Sequence, residues 1–120
     1  MRLMRINTWK IHYALYEGLG DYILDEDGYR TSEREVLYTD PVQIRANVSP
    51  AGGEAWAETF GTLENYDRII VTDDMSCPID ENSILWVEVL PDEAYDYRVY
   101  RVAKYLNHIA YAVKKVDIGG

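Results

Sequence analysis

The chain has 120 residues, a formal net charge of −9 and 48% hydrophobic residues. That length fits one domain, residues 1–120, large enough to bury a core without help from disulfides or a metal. Twenty-one acids against twelve bases argue against a nucleic-acid grip, which needs clustered Lys and Arg.

Eleven tyrosines against one phenylalanine mean many rings with one end that must stay wet or find a partner. That suits a small β domain with exposed sheet faces or large interfaces. Cys77 is the lone cysteine, so no internal disulfide is available and a reducing compartment is expected. No apolar run approaches the ~20 residues that span a bilayer. The opening MRLMRINTWK is basic, but no apolar block follows it, so it is not read as a signal peptide. Synthesis in the cytoplasm is the expectation.

In chain order, residues 9–16 (WKIHYALY) alternate, with Trp9, Ile11, Tyr13 and Leu15 on one side, which predicts a half-buried strand. Residues 17–35 are rich in charge and poor in core residues. Asp25-Glu26-Asp27-Gly28 is a turn signal, so a hairpin or a long mobile loop is predicted there. Val42, Ile44, Ala46 and Val48 alternate with polar residues directly after Pro41, the cleanest strand pattern in the chain. Ser49-Pro50-Ala51-Gly52-Gly53 breaks it. Residues 54–60 (EAWAETF) then predict one short helix with Trp56 and Phe60 on one stripe and Gly61 as its stop. Such a helix is too short to stand alone and must lean on the sheet.

Arg68–Thr72 and residues 84–89 read as two strong strands joined by an acidic loop over 73–83. The C-terminal part fits two patterns. As a helix, Val99, Val102, Ala103, Leu106, Ala110 and Val113 share a face; as strands, residues 97–104 and 109–116 alternate around Asn107-His108. The β-branched content favours strands. The sum is a mainly β chain: a small barrel or sandwich of five to seven mostly antiparallel strands, one short helix around 54–60 and a long mobile loop around 17–35.

Asp73, Asp74, Asp80 and Glu81 have oxygen ligands suited to a hard cation, but their spacing does not match a calcium loop, and solvated loop carboxylates are the simpler reading. No feature places two of these acids about a substrate as glycoside chemistry requires. Cys77 with His12 or His108 is a formal nucleophile and base, but acidic neighbours raise a thiol's pKa, and a small buried residue is the better reading. Gly52-Gly53 and Gly18-Leu19-Gly20 lack the rest of a phosphate cradle. Trp9, Trp56 and Trp86 read most simply as core, and Trp56 on its marginal helix is the one of the three that is also a candidate contact residue. The basic residues Arg98, Arg101, Lys104, Lys114 and Lys115 read as a solvated face. No catalytic residue, cofactor or metal is expected. A different class, a barrel binding a small ligand or sugar, would use Tyr16, Tyr22 and Tyr95 as its rim.

Several strings, in this order, resemble the small head–tail connector proteins of long-tailed phages and prophages of Gram-positive bacteria. They are PVQIRANVS (41–49), NYDRIIVTDD (65–74) and CPIDENSILW (77–86), followed by a closing strand pair with RVAK (101–104) before its turn and AVKKV (112–116) after it. The resemblance covers nearly the whole chain. It implies a small β-barrel-like virion protein with a short helix and a long loop. Copies would form a homo-oligomeric ring beneath the portal, between portal or adaptor and tail-completion proteins, and help retain packaged DNA. It also implies strands at the C-terminus, no membrane, and DNA passing through without specific binding. The contact residues then expected are Trp56, Phe60 and Tyr22 with the loop acids Asp73, Asp74, Asp80 and Glu81.

Overall fold

The computed structural model describes residues 8–50, 59–61 and 66–116. Eight strands lie among them: β1 (Thr8–Ala14), β2 (Tyr16–Leu24), β3 (Arg30–Tyr38), β4 (Val42–Pro50), β5 (Arg68–Thr72), β6 (Ile84–Trp86), β7 (Tyr97–Lys104) and β8 (Ile109–Lys115). Six close into a barrel in the order β1-β4-β5-β8-β7-β6, and every pairing is antiparallel. The remaining two, β2 and β3, pair only with each other. The protein is thus a small, mainly β barrel, as its alternating patterns predict, and the C-terminal segment is a strand pair.

The barrel core follows from period two. Ile11, Ile70, Leu85, Tyr97, Tyr111 and Val113 point inward and are almost fully buried. Their interior is filled by side chains, as a six-stranded barrel of this size requires. β5 and β8 are buried on both faces: Ile69, Val71, Ala110 and Ala112 form a second, outer cluster with Phe60 and Tyr66. That is why both strands read as unbroken apolar runs. A third cluster, Ala14, Ile84 and Trp86, is covered by Tyr38, Val89 and Tyr95.

Three expectations change. Of the two readings of residues 17–35 the hairpin holds and the long mobile loop does not: they form most of a β2–β3 ribbon, which raises the strand count to eight. Its turn uses the predicted glycine: Gly28 has φ +84, and its N–H donates to the Asp25 carbonyl at 3.0 Å. The strand predicted over 84–89 stops at Trp86, because the Asp96 carboxylate takes the next two backbone N–H groups, those of Val87 and Glu88, both at 2.8 Å. Trp9, read as core, is 41% exposed near the start of β1, although it shares the side of the strand on which Ile11 and Tyr13 are buried. Of the helix predicted over 54–60, only Thr59 and Phe60 fall within the described residues; both are helical. Trp56 lies outside the described residues.

The ribbon leaves the barrel between β1 and β4. Its base is tied by the Thr39 N–H to the Leu15 carbonyl and by the Leu15 N–H to Thr39 Oγ1, both at 2.8 Å. Tyr38 packs there against Tyr16 and Tyr95. Nine-residue strands at about 3.3 Å per residue reach ~30 Å. That projection accounts for a longest dimension of 54 Å against a cross-section of 28 × 24 Å.

Candidate functional site

The acidic loop between β5 and β6 is a lid on the barrel. Cys77 and Ile79 insert into the interior cluster, while Asp73, Asp74, Asp80 and Glu81 stay exposed. Two of those acids are used by the loop itself. Asp74 Oδ1 accepts from the Ser76 N–H at 3.0 Å and the Ser76 hydroxyl at 2.5 Å, and Asp74 N–H donates to Thr72 Oγ1. Those two Ser76 bonds hold the Asp74 carboxyl below its ordinary value. Asp80 Oδ1 accepts from the Asn82 N–H at 2.9 Å and the Ser83 hydroxyl at 3.1 Å. Asp and Asn favour turns for this reason: their short side chains bond the backbone two residues on. Among the described residues no group of three or more His, Cys, Asp or Glu is placed to hold a metal ion.

Beneath the lid, Tyr111 is buried and its hydroxyl has no hydrogen-bond partner among the described residues. Burial pushes its phenol far above the ordinary value, and the neighbouring Cys77 thiol adds to this. Tyr13 is also raised, by burial first and then by the nearby Cys77 and Asp74. Cys77 is therefore a buried thiol among neutral phenols. Neither histidine joins it: His108 stacks on Tyr105 at 4.5 Å, and His12 lies on the opposite face of β1 from Tyr13.

A second polar network was not anticipated from the sequence. Tyr97 Oη donates to Glu88 Oε2 at 2.6 Å, Arg68 Nη2 reaches Glu88 Oε1 at 3.3 Å, and Lys115 Nζ lies 3.7 Å from Glu88 Oε2. Burial, then the bond to Glu88, raises the Tyr97 phenol to about 12. The Tyr97 bond, with Lys115 and Arg68 beyond it, holds Glu88 below the usual carboxyl value. These four residues come from β5, β7, β8 and the segment after β6, so no local sequence signal unites them.

Beside this network Arg98, Val99, Lys114, Lys115 and Val116 line a cleft of about 410 Å³. The register places Arg98 opposite Lys114 on one face and Tyr97 opposite Lys115 on the other. Three of the five basic residues that read as a solvated face thus border one concavity. Arg101 instead lies over Tyr100, and Lys104 borders a second cleft of about 450 Å³ beside the lid.

The ribbon carries the largest concentration of exposed apolar side chains. Tyr16, Leu19, Tyr22, Ile23, Leu24, Tyr29, Val36 and Leu37 are all at least 41% exposed. Arg30 and Arg34 both stand over the Tyr22 ring, at 4.5 and 5.3 Å. Seven acids, Glu17, Asp21, Asp25, Glu26, Asp27, Glu33 and Glu35, share the ribbon with those two arginines. A two-stranded ribbon is marginal by itself in water, and apolar surface on this scale marks a contact site.

The residues expected at an interface are therefore not brought together. Phe60 is 3% exposed and packs in the outer cluster of its own barrel, so it offers no surface to a partner, and Trp56 lies outside the described residues. Tyr22 is on the ribbon, and the four loop acids are on the lid. A closed barrel has no edge strand, so among the described strands β2 and β3 carry the unpaired edges. Tyr16, Tyr22 and Tyr95 do not form a rim: Tyr22 is out on the ribbon, and Tyr95 packs edge-on against Trp86. No family model, curated protein or solved structure matches this chain.

Proposed function

We propose that this is a structural, non-enzymatic virion protein of the head–tail connector of a long-tailed phage or prophage. It works as a ring of identical copies below the portal, joins head to tail and helps to retain packaged DNA as a head-completion layer. The observation that carries the reading is the ribbon: a filled barrel projects a ~30 Å arm with an exposed aromatic and aliphatic surface, which is an arrangement for gripping other proteins. The resemblance of the strings at 41–49, 65–74, 77–86 and 97–116 to connector proteins supports the same reading. Its partners are then further copies, the portal or adaptor, and the tail-completion protein, and its place is the virion, assembled in the bacterial cytoplasm. A net charge of −9, much of it on the ribbon, suits a ring through which DNA must slide without sticking.

The test is a phage lacking this gene. Filled heads that leak DNA or fail to join tails are expected, with rescue by the chain supplied in trans. Infectious particles in normal yield without the protein would refute the proposal. Heads that retain DNA but fail only at tail joining would place the protein in the tail-completion layer instead.

A further inference from the structure

The register of the ribbon sorts its side chains onto two unlike faces. Residues paired across an antiparallel ribbon share a face, and neighbours along a strand alternate. The pairs Tyr16–Tyr38, Leu19–Val36, Tyr22–Arg34 and Leu24–Arg30 therefore lie on one face. The Tyr16 ring against Tyr38, and both guanidinium groups over the Tyr22 ring, agree with this. Tyr16, Leu19, Tyr22, Leu24 and Val36 are between 41% and 61% exposed there.

Alternation along β3 puts Glu33, Glu35 and Leu37 on the other face, all exposed, with Leu37 paired to Gly18. A β-carbon on Gly20 would meet Leu37 and Glu35 at 3.1 and 3.3 Å, whereas one on Gly18 would meet nothing within 4 Å. Leu37 thus leans over Gly20 and leaves a bare gap at Gly18. One face is apolar with two arginines; the other has two glutamates, a leucine and a gap. Arg34 donates from Nε and Nη2 to the Gly20 and Leu19 carbonyls, bonds that leave its Nη1 group. Among the described residues no hydrogen bond takes up the Arg30 guanidinium, which is held only over Tyr22.

We propose that the aromatic, arginine-bearing face of one ribbon packs on the acidic face of the ribbon of a second copy. The contact rests on the ring reading above, which sets neighbouring copies at one level. Because the two faces alternate along each strand, ribbons standing side by side at one level bring each residue of one face against its own chain neighbours in the next copy. Arg34 then lies between Glu33 and Glu35 of that copy, Val36 lies beside Leu37, and Leu19 covers the gap at Gly18. The two faces differ, so the contact is head-to-tail, the type that closes into rings. A ribbon that is marginal in water by itself is covered on both sides.

The test uses the purified full chain in sedimentation equilibrium up to millimolar concentration. Reversible self-association that weakens with added salt is expected. Arg30→Glu with Arg34→Glu in one variant, and Glu33→Lys with Glu35→Lys in another, each weaken it by about tenfold or more. The first variant has two acidic faces and the second two basic ones, so an equimolar mixture associates again. A protein that stays monomeric, reversals without effect, or a mixture that fails to associate would overturn the proposal.

Should Arg34→Glu disrupt the ribbon by removing its bonds to β2, cysteines at exposed apolar positions read the same contact with every charge in place. In a Cys77→Ala background, Val36→Cys and Leu37→Cys proteins are expected to cross-link by bismaleimide more when mixed than either does alone. Equal yields, or none, refute the contact. A working charge swap with no phage phenotype would remove the connector reading and leave the contact standing. Leaking phage heads with a failed charge swap would do the reverse.

Discussion

The Tyr97 hydroxyl donates to Glu88 Oε2 at 2.6 Å and so ties a buried ring of the barrel interior to the charged residues at its rim. Replacing it by Tyr97→Phe keeps the ring and removes one bond to a charged acceptor, at a cost of about 2 kcal/mol at neutral pH. The pH dependence follows from the two shifts. Tyr97 is raised from 10.0 to about 12, so its contribution is full below pH 10 and disappears as pH climbs toward 12. Glu88 is lowered from 4.5, so its contribution is full above that value and is lost as pH falls through the depressed one. Urea titrations across pH are expected to show the gap between parent and Tyr97→Phe narrowing at both extremes. A gap independent of pH would show that the bond does not contribute.

Asp96 is 3% exposed and accepts from the N–H groups of Val87 and Glu88. Asp96→Ala strands both donors, at a cost of about 3 kcal/mol. Asp96→Asn keeps one acceptor oxygen and loses less. Urea midpoints for the three proteins, in the order parent, Asn, Ala, check this.

The lid's contribution is in its apolar pegs. Ile79→Ala is expected to cost about 3 kcal/mol through lost burial and a residual cavity. Asp73→Asn and Glu81→Gln, on exposed side chains, change stability by no more than about 0.5 kcal/mol. Added Ca²⁺ or Mg²⁺ leaves the Tm unchanged, because Asp74 and Asp80 are committed to the loop's own donors. A cation-dependent rise in Tm would show that the loop acids form a binding site.

Tyr111 offers a stabilising change. Its hydroxyl is buried without a partner, so Tyr111→Phe removes an uncompensated polar group and is expected to gain about 1 kcal/mol. Thermal unfolding of the variant tests this; a lower Tm would reveal a bond between the hydroxyl and Cys77 or ordered water.

What was legible in the sequence was local. The alternation in 42–48 set a strand beside Pro41, and the β-branched residues of 97–116 outweighed an equally good helical stripe. The two-faced burial of β5 and β8 also left its mark, as apolar runs that alternation alone would not produce. Asp25 to Gly28 marked a turn, but charged flanks with little core content left a hairpin and a mobile loop undivided, because a ribbon with no sheet behind it has no buried face to impose a pattern.

The site lay beyond such signals. Asp73, Asp74, Asp80 and Glu81 drew notice as a cluster along the chain, and two of them proved to be turn formers. Arg98, Lys114 and Lys115 were visible as charges, yet only the register of β7 against β8 pairs Arg98 with Lys114 and sends Lys115 to the Tyr97 side, where it meets Glu88. Glu88 meets Arg68, Tyr97 and Lys115 only because the barrel closes. The sequence by itself determined the mainly β character, the strong strands and the turns, since these follow from side-chain period and backbone preference over a few residues. Tertiary structure alone decided that six strands close, that two are left outside as an arm, and which charges face one another, since closure and register bring together residues far apart along the chain.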